Sequence, residues 1–132
     1  MSAVLKKNKK IILFFIFCYI MIFCFNFFKN IDLDILWNYG FSKNVSDGLI
    51  MYKDFNMVIT PLYPLLTGLF MKIFGTNMII FYLINTFYAL FILVIVYKLD
   101  KKIIFPFFIY FLFESAPGYN TLSILYVFLL IY

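Results

Sequence analysis

Four of the six carboxylates in this 132-residue chain fall within the 23 residues that run from Asp32 to Asp54. Asp34 lies near the start of this stretch, and a Tyr52-Lys53 pair precedes its last acid. A carboxylate can take a proton from a hydroxyl as a general base, or bind a cation. The chain has no histidine, which removes the commonest general base and metal ligand. The candidate chemistry is therefore that of carboxylates.

The elements that must position these acids are hydrophobic. The chain is 66% hydrophobic and 24% aromatic, with a mean hydropathy of +1.02. Soluble domains contain about 45–50% apolar residues. The composition predicts an all-α, polytopic membrane protein. Cys18 and Cys24 lie six residues apart in one apolar run and point to different faces of a helix, so neither a disulfide nor a metal pair is expected.

Two apolar runs have the length of a membrane span. Residues 11–28 carry no charge and approach the ~20 residues needed to cross the hydrocarbon core. Phe27-Phe28-Lys29-Asn30 offers no small-residue cleavage site, so this span is predicted to be retained. Met78 to Tyr97 is the second span. Two shorter runs fit either a pair of spans meeting at an outer turn or a hairpin dipping in from the cytoplasm, and the first arrangement fits better.

The distribution of lysines predicts the orientation. Lysines cluster before the first span and again around Lys101, whereas the acidic stretch lies between the spans. Cytoplasmic loops are enriched in lysine and arginine, so the N-terminus is predicted to be cytoplasmic and the acidic loop outside. The formal net charge of +5 therefore does not indicate nucleic acid. The predicted segments are the cytoplasmic N-terminus (1–10), first span (11–28), outer loop (29–77), second span (78–97), cytoplasmic turn (98–102), third span (103–116), outer turn (117–120) and fourth span (121–132).

The outer loop contains signals for two helices. The first is predicted from Asp34, as its N-cap, to Asp47, with Gly48 after its last turn. The second is predicted to begin at Thr60-Pro61, with threonine as N-cap and proline at the first helical position, and to end before Gly75. Its apolar residues recur at i, i+3 and i+4, and Lys72 favours a place on or partly in the outer leaflet over a full span.

The order of residues in this loop resembles a known family. Asp34 is followed by a predicted helix, then by Gly48-Leu49-Ile50-Met51-Tyr52-Lys53-Asp54, then by a Thr60-Pro61-Leu62 helix start. This order resembles the first outer loop of the glycosyltransferase-C superfamily, protein-mannosyltransferase-like enzymes that use polyprenyl- or dolichyl-phosphate sugars. Ile35 and Ile59 stand where the family pattern usually has an acid or glycine and a lysine-proline start. The specific part of the resemblance covers about 30 residues.

The resemblance implies roles for individual residues. Asp34 matches the family's catalytic acid and is expected to be the base, although the same residue type also suits a helix cap. Asp32 is expected to be a helper, a cation ligand or a solvated acid, so a divalent cation stays open and no metal site is assigned. Asp54 is expected to position the acceptor or to form a turn. Lys53 fits a contact to the lipid phosphate or an interfacial anchor. The remaining substrate-binding candidates are Tyr52 and Glu114, the latter as a pocket wall or a contact from the second loop.

The implied function is sugar transfer from a polyprenyl-phosphate carrier to a lipid, glycan or protein acceptor outside the plasma membrane of a bacterium or in the endoplasmic reticulum of a eukaryote. The chain ends within an apolar run, so it is expected to be an N-terminal fragment that is inactive alone. The alternatives are a small four-span accessory of a carrier-lipid flippase and a non-catalytic bundle of spans.

Overall fold

The computed structural model describes residues 3–29, 31–113 and 119–131. These residues form six α-helices and a 3-10 turn, with one isolated bridge between Met51 and Phe55 and no β-strand in the described ranges. The predicted all-α class is confirmed. The elements are α1 (Ala3–Phe28), α2 (Leu33–Ser46), α3 (Leu62–Phe74), α4 (Met78–Leu99), the 3-10 turn (Lys101–Ile103), α5 (Ile104–Phe113) and α6 (Tyr119–Ile131).

Two helices are long and apolar enough to cross a membrane: the Lys9–Phe28 part of α1, and α4. Four spans were predicted, and two helices of the described residues have the length of a span. The 10 residues of α5 and the 13 of α6 rise about 15 and 20 Å, against a hydrocarbon core of about 30 Å. The predicted third span continued through residues 114–116, which lie outside the described residues.

The core is built around α4, which contacts α1, α3, α5 and α6. Ring contacts set the direction of α1 against it: Phe15 meets Tyr97 with centroids 5.5 Å apart, and Phe27 meets Tyr82 at 5.8 Å. Because the partner number falls as the α1 number rises, the two helices are antiparallel. This pairing agrees with two consecutive spans that cross in opposite directions.

Polar contacts join α3 to α4 within this apolar core. The Tyr63 hydroxyl donates to Asn85 Oδ1 at 2.8 Å, and Thr67 Oγ1 lies 3.4 Å from the Tyr88 hydroxyl. All four side chains are buried. Buried polar atoms cost free energy unless they are hydrogen-bonded, so these pairs fix which face of α3 meets α4. Asn85 is one of the two polar residues that interrupt the predicted second span.

The close approach of α2 and α3 depends on a glycine. A Cβ built on Gly68 would lie 2.7 Å from the Ser42 carbonyl oxygen and 2.8 Å from Val45 Cβ. A side chain larger than hydrogen does not fit between the helices at this distance. Small residues permit such approaches between helices in membranes. The contact holds α2 against α3, which in turn is bonded to α4.

The helix starts of the outer loop correct two predictions. Pro61, and not Thr60, is the N-cap of α3, without a side-chain cap hydrogen bond. The helix therefore begins one residue later than the threonine-proline pattern predicted, at Leu62. The predicted end is confirmed: α3 stops at Phe74, and Gly75 follows with φ +114°. That backbone conformation suits glycine because it lacks a Cβ.

Candidate functional site

The N-cap of α2 is Asp32, which corrects the prediction for Asp34. Asp32 Oδ1 accepts a hydrogen bond from the Ile35 amide at 2.8 Å, and its backbone is extended, as caps require. The cap and the helix start therefore lie two residues earlier than predicted, with Leu33 as the first helical residue. The sequence contains two acids two residues apart, and either fits the cap pattern. Asp32 takes the role because its carboxylate lies three residues before the amide it caps.

Asp34 therefore does not cap α2. It lies in the first turn of α2, its side chain is exposed, and within the described residues no hydrogen bond or ion pair involves its carboxylate. The free amides and the dipole at a helix N-terminus stabilise a negative charge there. A charged oxygen that is exposed and carries no intramolecular bond is available to an external hydroxyl or cation.

The two faces of α2 differ in what they contact. Ile35 and Ser42 belong to the buried face of the helix. Asp34, Trp37 and Phe41 follow one another at spacings of three and four residues, so they share the other face. Trp37 is the single tryptophan of the chain and is 53% exposed. The candidate base thus shares a helix face with an exposed aromatic ring, which the i, i+3 spacing in the sequence already indicates.

The far end of α2 is fixed by an ion pair and a glycine. Lys43 Nζ donates to Asp47 Oδ2 at 2.6 Å. The hydrogen bond and the charge of Asp47 raise the pKa of Lys43 above its ordinary value. Gly48 follows with φ +89°, which terminates the helix as predicted. Asp47 is therefore engaged locally.

The segment from Ile50 to Phe55 is a tight turn. Asp54 Oδ2 accepts from the Ile50 amide at 2.8 Å, and the Tyr52 amide donates to the Phe55 carbonyl at 2.9 Å. Tyr52 is exposed and has φ +63°, a left-handed conformation that costs free energy for a residue other than glycine or asparagine. Asp54 therefore forms the turn, one of the two roles expected of it.

Ring stacking brings the turn onto α2. Phe55 stacks on Phe41, with centroids 6.1 Å apart and an interplanar angle of 18°. Phe41 lies seven residues after Asp34, which is about 10 Å along the helix axis. The structure therefore places the turn that contains Tyr52 and Lys53 about two helical turns from Asp34. Lys53 is exposed.

The sequence did not identify one buried tyrosine of α4. Tyr82 is 2% exposed, and its hydroxyl has no hydrogen-bond partner among the described residues. Its ring meets Phe27 of α1, with centroids 5.8 Å apart. In the sequence Tyr82 is one more aromatic residue of an apolar span, and no pattern there indicates a buried hydroxyl. Glu114 falls outside the described residues.

Within the described residues no cluster of three histidine, cysteine or acidic side chains is placed to hold a metal ion. Asp32 and Asp34 lie two residues apart at one helix start, with the first engaged as a cap. Comparison with models of known protein families, with characterised proteins and with solved structures finds no match for this chain. The candidate site is thus defined by its own geometry: Asp34 beside Trp37, and the Tyr52 to Asp54 turn.

Proposed function

We propose that this chain is part of a membrane glycosyltransferase in which Asp34 is the general base. The enzyme would transfer a sugar from a polyprenyl-phosphate carrier to a hydroxyl acceptor on the extracytoplasmic side. The observation that carries the proposal is the state of Asp34: an exposed carboxylate without an intramolecular bond in the described residues, six residues after the end of a helix that is long enough to span a membrane.

The proposed reaction needs little from Asp34 besides proton transfer. The acceptor oxygen attacks the anomeric carbon while its proton passes to the Asp34 carboxylate. The bond between that carbon and the phosphate oxygen breaks, and the phosphate keeps the electron pair. A general base of this kind contributes about 10²–10⁴-fold to a rate. Asp34 lies in the first turn of α2, and its exposed side chain can be reached by an acceptor hydroxyl.

The surroundings of Asp34 supply groups for a sugar and a phosphate. Trp37 shares its helix face, and an exposed indole offers a flat apolar surface with a polar edge. Lys53 provides a cation on the turn that stacks against the same helix. We assign Trp37 to the sugar ring and Lys53 to the carrier phosphate. Asp54 acts through the turn it closes.

The proposal includes a membrane arrangement. α1 and α4 cross the bilayer, the N-terminus is cytoplasmic, and α2 and α3 lie at the outer boundary. α5 and α6 belong to the third and fourth predicted spans. The exposed apolar side chains along α1 support contact with lipid, since exposed apolar patches mark interaction surfaces. In a bacterium this membrane is the plasma membrane.

The catalytic test replaces Asp34 in the whole enzyme of which this chain is proposed to be a part. We expect Asp34→Asn to lower the transfer of labelled hexose from polyprenyl phosphate by at least 100-fold in isolated membranes, because the amide cannot accept the proton. Asp34→Glu should retain part of the activity. Asp47→Asn is the matched control, since it removes an equal charge from the other end of α2 and should leave the rate within two-fold. Full activity of Asp34→Asn would contradict the base assignment.

A separate test addresses the orientation. Trp37→Cys in intact cells should react with a maleimide that does not cross membranes. Lys101→Cys should react after the cells are opened. The two native cysteines lie within α1, where Cys18 is buried, and Cys24 can be replaced by serine to lower the background. The reverse labelling pattern would contradict the proposed sidedness and with it an extracytoplasmic site.

A further inference from the structure

A groove lies between α1 and the end of α5. Its volume is about 540 Å³, within the range of ligand pockets. Neither Asp34 nor Trp37 lines it, although Lys29 precedes Asp34 by only five residues. The lining residues are Met21, Cys24, Phe25, Phe28 and Lys29 of the first helix and its end, with Leu112 and Phe113 of α5.

The groove combines one positive charge with an apolar wall. Lys29 directly follows the last residue of α1 and is half-buried, and its Nζ donates to the Phe113 carbonyl at 3.1 Å. This bond fixes the ammonium group at the junction of the two helix ends. The other six lining residues are apolar. A ligand that satisfies both parts must carry an anionic group at one end and a hydrocarbon chain behind it.

Strongly exposed side chains form part of the groove lining. Phe28 and Phe113 are 81% and 65% exposed. On a helix that spans a bilayer, such exposed side chains meet lipid. The end of the span places Lys29 at the level of the headgroups, where lysine attracts anionic lipids. A molecule in the outer leaflet therefore reaches the groove without leaving the membrane.

We propose that this groove binds an anionic phospholipid of the bilayer, with its phosphate at Lys29 and one acyl chain along the apolar wall. The charge of Lys29 selects this occupant over a zwitterionic lipid, whose head is neutral overall. A free phosphate ion would leave the apolar wall uncovered. The inference rests on the membrane arrangement proposed above and is independent of sugar transfer.

The test measures lipid retention by the purified full chain. Native mass spectrometry in mild detergent should show one tightly retained phosphatidylglycerol, and phosphatidylcholine should be retained about five-fold less, the effect of one lysine at an anionic surface. Lys29→Gln should reduce the retention of phosphatidylglycerol to the level of phosphatidylcholine. Lys29→Arg should preserve the difference. Lys72→Gln removes an equal charge from the exposed side of α3 and should change neither value.

A second variant tests the apolar wall. Cys24→Trp fills the groove and should lower the retention of both lipids while leaving the charge of Lys29 in place. Equal retention of the two lipids by the wild-type chain, or an unchanged preference in Lys29→Gln, would overturn the proposal. Loss of the lipid preference in both Lys29→Gln and Lys72→Gln would also overturn the proposal, because it would indicate general charge attraction. Release of the chain from membranes by carbonate would instead contradict the membrane arrangement.

Discussion

Alanine at Gly68 tests whether the contact between α2 and α3 positions the candidate site. The change adds one methyl group to α3, where it would meet the Ser42 carbonyl oxygen at 2.7 Å and the Val45 side chain at 2.8 Å. Neither neighbour is the far end of a flexible side chain. The helices must therefore separate by several tenths of an ångström, which also shifts the helix that carries Asp34.

The expected cost follows from two opposing effects. Overpacking a closely packed interface costs about 1–3 kcal/mol, and the rigid neighbours place Gly68 at the upper end. Replacing glycine by alanine inside a helix gains about 1 kcal/mol. We therefore expect Gly68→Ala to lower the free energy of unfolding by about 2 kcal/mol. Gly40→Ala is the matched control in α2, because a Cβ there meets nothing within 4 Å, and it should raise stability by up to ~1 kcal/mol.

The assay is equilibrium unfolding in mixed micelles of a mild detergent and dodecyl sulfate. Trp37 is the single tryptophan and lies on α2, so its fluorescence reports the displacement of this helix directly. The two alanine variants should shift the midpoint in opposite directions. A Gly68→Ala protein as stable as Gly40→Ala would refute the reasoning, since both would then show only the gain in helix propensity.

Three further predictions use the same unfolding assay. Asp32→Ala should cost about 1 kcal/mol by removing the cap of α2, whereas Asp32→Asn should cost little because asparagine also caps. Tyr63→Phe should cost about 1 kcal/mol, because Asn85 Oδ1 loses its buried donor. The pKa of Lys43 is raised in the folded state, so its pairing with Asp47 contributes fully to stability below the pKa of a free lysine. This contribution is lost as the pH rises through the pKa of Lys43 in the folded protein. Lys43→Gln should therefore remove this loss of stability at alkaline pH.

Specific outcomes would contradict each of these. Equal stability of the alanine and asparagine variants at Asp32 would remove its capping role. If Tyr63→Phe costs as much when Asn85 is already leucine, the two side chains are not coupled. An alkaline loss that persists unchanged in Lys43→Gln would belong to other groups.

The sequence was sufficient for features that depend on neighbouring residues and on composition. Apolar runs predicted α1 and α4 because every backbone group inside a lipid-facing segment must be bonded within its own helix. Gly48 and Gly75 predicted the ends of α2 and α3, because glycine readily adopts the positive φ that ends a helix. Both residues have positive φ in the structure. The amphipathic pattern predicted α3 with its boundary in error by one residue, because threonine-proline fits more than one helix start.

The assignment of the acids required the tertiary structure. Asp32 and Asp34 are the same residue type and lie two positions apart, so the sequence does not distinguish them as caps. In the structure Ile35 is buried, and the carboxylate that reaches its free amide is that of Asp32. The bond between the Asp54 carboxylate and the Ile50 amide, which closes the turn, was likewise visible only in the structure. These choices depend on side-chain geometry over a few ångströms, which a pattern of residue types does not specify.

By itself the sequence determined an all-helical chain with long apolar helices and an acidic stretch between them, because hydrophobicity and helix ends are local properties. Only the tertiary structure decided that Asp34 is exposed and forms no hydrogen bond or ion pair within the described residues, that a turn about 10 Å further along α2 stacks on the same helix, and that Lys29 closes an apolar groove against α5. These features join residues up to 84 positions apart. Their contacts arise from packing around α4, and no local pattern records them.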